Sequence, residues 1–189
     1  MIVGILALQG GFALHQNKFN NLGIETRLVR NPDTLRKVSG LVIPGGESST
    51  ILKNTTNELC EQLKIFAKSR PVWGSCAGAI LLAKHVANPT QQSFGFIDIE
   101  VTRNAYGSQN ESFIANLRLK LNDAVMNDCI FIRAPKITKT GNAVKILGEH
   151  AGYPIMVEQN RHIATTFHPE LGGGMELHEY FLQKIREIK

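Results

Sequence analysis

The sequence predicts an α/β fold with a central, mostly parallel sheet covered by helices on both faces. In the first half of the 189-residue chain, short apolar runs alternate with segments of helical spacing, which is typical of buried parallel strands joined by helices. In the second half, apolar segments follow one another with little helix between them. This change indicates mixed or antiparallel strands added to the parallel core.

The predicted elements of the first half follow from hydrophobic periodicity. Continuous apolar runs predict buried strands, and apolar residues recurring every three or four positions predict helices. The strands are predicted at Ile2–Leu8, Thr26–Val29, Leu41–Ile43 and Pro71–Trp73, and the helices at Phe12–Leu22, Ile51–Ala67 and Ala77–Lys84.

The second half is predicted to be strand-rich until a closing helix. Because no repeat, low-complexity tract or linker interrupts the chain, residues 1–189 are predicted to form one domain. The segment Gln159–His162 is predicted to be a tight hairpin connection. The strands are predicted at Phe94–Thr102, Phe113–Leu121, Ile130–Ile132, Val144–Leu147, Ile155–Glu158 and Ile163–Phe167, and the helix at Met175–Ile188.

Composition argues against several function classes. The formal net charge is +5, but the basic residues are scattered and no zinc-finger spacing or RNA-binding signature accompanies them, so we expect no nucleic-acid partner. No run reaches the roughly 18 apolar residues that span a bilayer, and the N-terminus is predicted to be a buried strand.

Three cysteines without a CxxC pair favour a reducing, cytoplasmic setting. Cys60 and Cys129 are expected to be small buried hydrophobes. Neither a metal nor a cofactor is expected.

The segment Trp73-Gly74-Ser75-Cys76-Ala77-Gly78-Ala79 places a cysteine on a G-x-C-x-G turn between a predicted strand and a predicted helix. A nucleophile on such a turn often has strained backbone torsions and needs small neighbours, here Gly74 and Gly78. The helix N-terminus would stabilise a Cys76 thiolate, and the Ala77 N–H is a natural oxyanion donor. Taken alone, the motif fits a buried structural cysteine equally well.

The segment His168-Pro169-Glu170 supplies a base and a carboxylate two residues apart. A residue before proline favours extended backbone, in which residues i and i+2 point to the same side. Glu170 is therefore predicted to accept from one imidazole nitrogen of His168 while the other faces the thiol. The alternative is a surface turn. No role is assigned to the remaining histidines, which are His15, His85, His150, His162 and His178.

The segment Pro44-Gly45-Gly46-Glu47-Ser48-Ser49 lies between a predicted strand and a predicted helix. Two adjacent glycines let the backbone approach a ligand or change peptide orientation at little cost. It is not a P-loop, because no Gly-Lys-Ser/Thr follows at the required spacing. We predict that the Gly46 N–H is a second oxyanion donor. A glycine turn with Ser48 or Ser49 as helix N-cap is the alternative, and both roles can hold together.

Together, these three motifs resemble class I, triad-type glutamine amidotransferases. A set of segments in order resembles, more narrowly, the glutaminase subunits of pyridoxal 5′-phosphate synthase over nearly the whole chain. The resemblance implies the flavodoxin-like fold of that class. The segments are Leu6-Ala7-Leu8-Gln9-Gly10, Pro44–Ser48, Arg103-Asn104-Ala105-Tyr106-Gly107, Phe131-Ile132-Arg133-Ala134-Pro135 and Phe167–Leu171.

The resemblance implies that Cys76 attacks the side-chain amide of L-glutamine, with His168 as base and then acid and Glu170 as orienting group. Ammonia leaves and water hydrolyses the thioester, while Gly46 and Ala77 hold the oxyanion. An arginine suits a carboxylate and Glu47 an ammonium, although a surface salt bridge would otherwise be the preferred interpretation of the arginines. The implied glutamine-binding residues are Gly46, Glu47, Ser48, Arg103, Ile132 and Arg133.

The resemblance also implies a partner. It is the synthase subunit, a barrel enzyme that receives the ammonia internally within a large complex. Activity is then conditional on the partner, because the partner sets the oxyanion loop, where Gly45 and Gly46 suit a peptide flip. Gln9 and the following helix would lie near the interface. Pyridoxal phosphate is the product of the complex and not a cofactor of this chain.

Three positions depart from the family pattern, and two alternative functions stay open. Ser108 and Glu158 stand where arginine is usual, and Lys136 where histidine is common. None touches the triad, but Ser108 and Glu158 are expected to alter the interface or its charge pairing. One alternative is a glutaminase that serves another synthase, such as imidazole glycerol phosphate synthase. The segments that begin at Arg103 and Phe131 argue against this alternative. The other is a catalytically silent flavodoxin-like redox or binding module.

Overall fold

The structure is a computed structural model that describes residues 1–103, 105, 112–118 and 125–188. The strands are β1 (Val3–Leu6), β2 (Thr26–Val29), β3 (Gly40–Ile43), β4 (Val72–Ser75), β5 (Ala83–Ala87), β6 (Ile97–Thr102), β7 (Phe113–Arg118), β8 (Val125–Phe131), β9 (Lys136–Thr140), β10 (Lys145–His150), β11 (Tyr153–Gln159) and β12 (His162–Thr165). The helices are α1 (Phe12–Asn21), α2 (Pro32–Arg36), α3 (Ser48–Asn54), α4 (Asn57–Ser69), α5 (Ala77–Leu82) and α6 (Glu176–Arg186).

The central sheet has seven strands in the order β10-β11-β12-β4-β3-β1-β2. The pairs from β12 to β2 are parallel, and β10, β11 and β12 pair antiparallel. The predicted α/β class, with antiparallel strands added to a parallel core, is therefore confirmed. The carboxyl ends of β1, β3, β4 and β12 meet at one edge, which is where ligands bind in open α/β sheets.

Two buried clusters cover the two faces of this sheet. Along β3, Leu41 and Ile43 belong to one cluster and Val42 to the other, as the two-residue side-chain period of a strand requires. Helix α4 covers the first face through Leu59, Leu63 and Phe66. Helices α1 and α6 cover the second face, with Phe19 from α1 and Leu177, Phe181 and Leu182 from α6.

The structure differs from two of the predicted helices. The single helix predicted over Ile51–Ala67 is two helices, because the Thr56 side chain accepts from Leu59 N at 3.2 Å and starts α4 anew. The N-cap position of α3 is Glu47, not Ser48 or Ser49, and it makes no side-chain cap bond. The helix predicted over Ala77–Lys84 ends at Leu82, where the chain turns into β5.

The strands of the second half follow the predicted pattern with changed bounds. The hairpin is confirmed, since Gln159 pairs with His162 and Asn160 adopts a φ of 55° in the connection. The predicted strand at Phe94 begins three residues later, at Ile97, and β9 was not predicted. Residues 119–121 of the strand predicted from Phe113 lie outside the described residues. Among those described, no helix is both long and apolar enough to cross a membrane.

The burial of Cys60 and Cys129 can be compared with the prediction that both are small buried hydrophobes. Cys129 is buried, Cys60 is half-buried against the core, and none of the three cysteines, all within the described residues, forms a disulfide. The prediction of a small buried hydrophobe thus holds for Cys129 and in part for Cys60.

A buried histidine in β12 gives the fold a pH-dependent stability. Burial, together with the charge of Arg161, lowers the pKa of His162 from 6.5 to about 4, and its Nδ1 accepts from Val72 N at 3.3 Å. The unfolded chain binds this proton near pH 6.5 and the folded chain does not. Neutral His162 therefore contributes its full stabilisation to the folded state above pH 6.5. This stabilisation, on the order of 3 kcal/mol in total, is lost as the pH falls towards 4.

We expect His162→Asn, which keeps an acceptor but cannot titrate, to flatten this part of the stability profile. The measurement is urea unfolding of both proteins at pH 7.5 and pH 5. The wild-type chain should lose more unfolding free energy between the two pH values than the variant does. Equal losses would show that His162 is not the group responsible.

Candidate active site

The residues predicted from separate motifs lie together in one cleft at the carboxyl edge of the central sheet. Gly45 lies beside this cleft, and Glu170 lies behind His168. One lining residue, Ile80, was not predicted, since its apolar side chain carries no chemical signal. The lining residues are Gln9, Gly46, Glu47, Ser48, Cys76, Ala77, Ile80, Arg103, Ile132, Arg133 and His168.

Cys76 sits on a strained turn between β4 and α5. Its φ of 47° and ψ of −102° are unusual for a residue with a side chain, and strain of this kind clusters at functional sites. The tight turn needs glycine on both sides. A Cβ on Gly74 would overlap the carbonyl of Gly78, and one on Gly78 would overlap the carbonyl oxygen of Ile43. The turn therefore holds a mostly buried thiol at the floor of the cleft.

His168 is oriented by its backbone and by Glu170. Its N–H donates to Ile130 O at 2.8 Å, and its Nδ1 lies 2.8 Å from Glu170 Oε1. Since an ionised carboxylate only accepts, Nδ1 carries the proton and Nε2 is left for the thiol. Burial lowers the pKa of His168, but hydrogen bonds to Cys76 and Glu170 outweigh it and raise the pKa to about 10. The site therefore favours an imidazolium beside the thiol.

Glu170 is kept ionised although it is buried. Burial alone would raise its pKa, but the nearby His15 and the hydrogen bond with His168 hold the pKa well below 4.5. The start of α1 lies close by, since a Cβ on Gly11 would be 3.3 Å from Glu170 Oε1. The positive end of the helix dipole adds to this stabilisation.

The loop after β3 is fixed by hydrogen bonds from three directions. Gly45 N donates to Ser75 Oγ at 3.1 Å, and Gly45 O accepts from Gly11 N at 2.9 Å. Glu47 N donates to Gln9 Oε1 at 2.7 Å. The loop packs so closely that a Cβ on Gly46 would lie 2.8 Å from the Gly10 Cα. Glycine is therefore required at position 46 because the loop lies so close to the Gly10 backbone, and at position 45 because a Cβ there would overlap His168.

An ion pair forms the polar end of the cleft. Arg103 Nη2 lies 2.9 Å from Glu47 Oε1, which also accepts from Ser49 Oγ at 3.0 Å. The Ser48 hydroxyl is buried and donates to Gln91 Oε1 at 3.0 Å, so it is already engaged. Arg133 has a φ of 45° and is exposed at the rim. Cleft and ion pair together offer a cation and an anion to a small zwitterion.

The structure changes the interpretation of the departures from the family pattern. Glu158 is buried and accepts from Tyr180 and from Lys184, whose Nζ is 3.2 Å away. Its charge is thus neutralised within the chain, and the expectation that it alters an interface stays a prediction. Lys136 begins β9, with its Nζ 4.7 Å from the ring centre of Tyr153. Ser108 lies outside the described residues.

The fold is that of the glutamine amidotransferases. A solved glutamine amidotransferase structure superposes with a TM-score of 0.90 at 36% identity, covering 98% of this chain and 100% of that one. The chain belongs to the SNO glutamine amidotransferase family, whose sequence pattern matches residues 5–187. The predicted family resemblance is therefore confirmed.

Curated relatives carry a narrower name. The relatives from Koribacter versatilis and Pseudothermotoga lettingae are both named pyridoxal 5′-phosphate synthase subunit PdxT. Each is 46% identical to this chain over 186 residues. The alignments cover 98% and 97% of this chain and 96% and 95% of the relatives.

Proposed function

We propose that this chain hydrolyses L-glutamine to L-glutamate and ammonia and delivers the ammonia to a synthase that forms pyridoxal 5′-phosphate. The observation that carries the proposal is that Cys76 and His168 line one cleft together with the Arg103–Glu47 ion pair, while Glu170 holds His168 from behind. The names of the relatives supply the synthase. The family match over residues 5–187 supports one glutaminase domain over 1–189.

The geometry supports nucleophilic catalysis through a thioester. The Cys76 thiolate attacks the side-chain amide carbon of glutamine, and the amide oxygen becomes an oxyanion. His168 gives its Nε2 proton to the leaving nitrogen, so that ammonia departs and a γ-glutamyl thioester remains. His168 then takes a proton from water, which attacks the thioester, and glutamate leaves as the thiolate is restored. Glu170 holds the imidazole throughout.

Two backbone donors are proposed for the oxyanion. Ala77 is the first residue of α5, so its N–H has no partner within the helix and lies next to Cys76. Gly46 supplies the second N–H from the loop after β3. Since Gly45 O is held by Gly11 N, the adjoining Gly46 N–H lies on the opposite side of that peptide. Removing one such donor typically costs a factor of about 100 to 1000 in kcat.

The polar end of the cleft suits the amino-acid part of glutamine. The α-carboxylate is proposed to pair with Arg103 and Arg133, and the α-ammonium with Glu47. Because Arg103 and Glu47 already face each other at 2.9 Å, a zwitterion can pair with both and leave neither charge alone. Ile132 and the backbone at Ser48 complete this end.

The structure also bears on the alternatives. A glutaminase of another synthase would share this triad, and the PdxT relatives favour the pyridoxal phosphate pathway instead. A redox-sensing module needs a reactive thiol but no buried carboxylate aligned on the histidine. The 2.8 Å contact between His168 and Glu170 therefore favours hydrolysis.

The test of the proposal is a co-assay of glutamate release. Adding the synthase subunit from the same organism should raise glutamine turnover at least about tenfold, because the partner completes the oxyanion loop in a large complex. The ammonia-accepting subunit of imidazole glycerol phosphate synthase is the matched control and should have no effect. Activation by the control alone, or by neither protein, would overturn the proposed pathway.

A further inference from the structure

A buried polar cluster lies behind Glu170, on the side away from the cleft. It contains His15 from α1, Ser75 from β4 and His178 from α6, and each of the three is fully buried. Trp73 packs edge-on against both imidazoles, at centroid distances of 5.2 Å and 5.0 Å. No sequence motif indicates this cluster, because its two histidines are separated by 163 positions.

The contacts of Glu170 divide between two imidazoles. Oε1 is held by His168 Nδ1, and Oε2 lies 3.2 Å from His15 Nε2. Oε2 is buried, and no conventional hydrogen bond from the described part of the chain reaches it. A buried carboxylate oxygen facing an imidazole lone pair would be costly. The Nε2 of His15 therefore carries a proton.

We propose that His15 is a positioning residue, which holds the free oxygen of the Glu170 carboxylate and so sets the orientation of His168 for the reaction. This inference rests on the proposed glutaminase function. It extends the triad into a chain of contacts from Cys76 through His168 and Glu170 to His15 and His178.

His178 fixes the far side of the His15 ring. Its Nε2 lies 3.1 Å from His15 Nδ1, and Phe19 packs edge-on against it at 5.0 Å. Burial, helped by the charges of His15 and Lys18, lowers the pKa of His178 to about 2, so His178 is a neutral partner. These contacts hold the His15 ring with its Nε2 3.2 Å from Glu170 Oε2.

Ser75 connects the same imidazole to the oxyanion loop. His15 Nε2 lies 3.1 Å from Ser75 Oγ, and that oxygen accepts from Gly45 N at 3.1 Å. One buried ring therefore contacts both the carboxylate of the triad and the support of the oxyanion loop. Supporting hydrogen bonds of this kind keep catalytic groups in productive geometry.

The test compares His15→Leu, which removes both ring nitrogens, with His15→Gln, whose amide can donate near the position of Nε2. In the complex with the synthase subunit, His15→Leu should lower kcat of glutamate release roughly tenfold or more and leave KM within about twofold. His15→Gln should recover most of kcat. His162→Asn, at a buried histidine outside the site, is the matched control and should leave kcat unchanged.

A second readout needs neither substrate nor partner. The rate of Cys76 alkylation by iodoacetamide is measured against pH in the chain alone. The groups that face Glu170 are His15 from α1, His168 from its own loop and, more distantly, His178 from α6. Without His15 the Glu170 carboxylate takes up a proton more readily, so the His168 imidazolium loses its support. The fall in the Cys76 alkylation rate at low pH should therefore begin about one pH unit higher.

The outcomes separate the two proposals. A His15→Leu profile and kcat equal to those of the wild type, with the wild-type chain active, would overturn the positioning role alone. A merely structural role for His15 predicts lower unfolding free energy in both His15 variants without a shift of the alkylation profile. An inactive wild-type complex would instead count against the proposed function.

Discussion

Replacing Cys76 with alanine is expected to abolish glutamate release from glutamine in the presence of the synthase subunit. The substitution removes only Sγ, so no thioester can form, and the oxyanion donors and His168 alone cannot supply a nucleophile. Loss of a covalent nucleophile typically costs about four orders of magnitude or more in kcat. The measurement is glutamate production over hours at saturating glutamine.

The variant should remain folded, which makes the loss of activity interpretable. Alanine keeps the Cβ and meets the same strain at a φ of 47° as cysteine does, so the turn is no worse off. Cys60→Ala is the matched control, because that thiol is half-buried on α4 and far from the cleft. It should keep full activity. Retained turnover in Cys76→Ala would show that another group carries the reaction.

The geometric relations within the candidate site that the sequence predicted depend on short stretches of chain. Cys76 and the flanking glycines form one turn, and His168 and Glu170 are two residues apart, so local geometry nearly determines their relation. The meeting of the motifs at one edge followed from the parallel order of β1, β3, β4 and β12. Hydrophobic periodicity predicted β1, β3 and β4 as buried parallel strands, because these strands are buried on both faces, but it did not predict their order.

The parts that were not predicted depend on contacts between distant segments. Glu47 pairs with Arg103 across 56 positions, and His15 reaches Ser75 across 60. Nothing in the local sequence of His15 distinguishes it from the surface histidine His85. The division into α3 and α4 was missed although its cause is local. It depends on a single side-chain cap at Thr56, which a pattern averaged over a helix does not detect.

Replacing Gly45 with alanine is expected to lower glutaminase kcat by about a hundredfold or more through His168. A Cβ at Gly45 would overlap His168 Cε1 and lie 2.8 Å from its Nδ1, which is closer than real Cβ atoms approach other groups. The backbone of Gly45 is held at both its N–H and its carbonyl, so the imidazole must move instead. Moving the ring breaks its 2.8 Å contact with Glu170, and small misplacements of catalytic groups are costly.

Activity and stability should respond differently to this change, which identifies the imidazole as the group that moves. The unfolding free energy of Gly45→Ala should fall by no more than about 1 to 3 kcal/mol, the usual cost of overpacking, while kcat falls far more steeply. Gly173→Ala is the control, because a Cβ there meets open space and its φ is not positive. The alkylation profile of Cys76 should shift in Gly45→Ala and not in the control. A Gly45→Ala chain with normal turnover would mean that the loop yields instead, and that the contact of Gly45 with Ser75 does not hold it firmly.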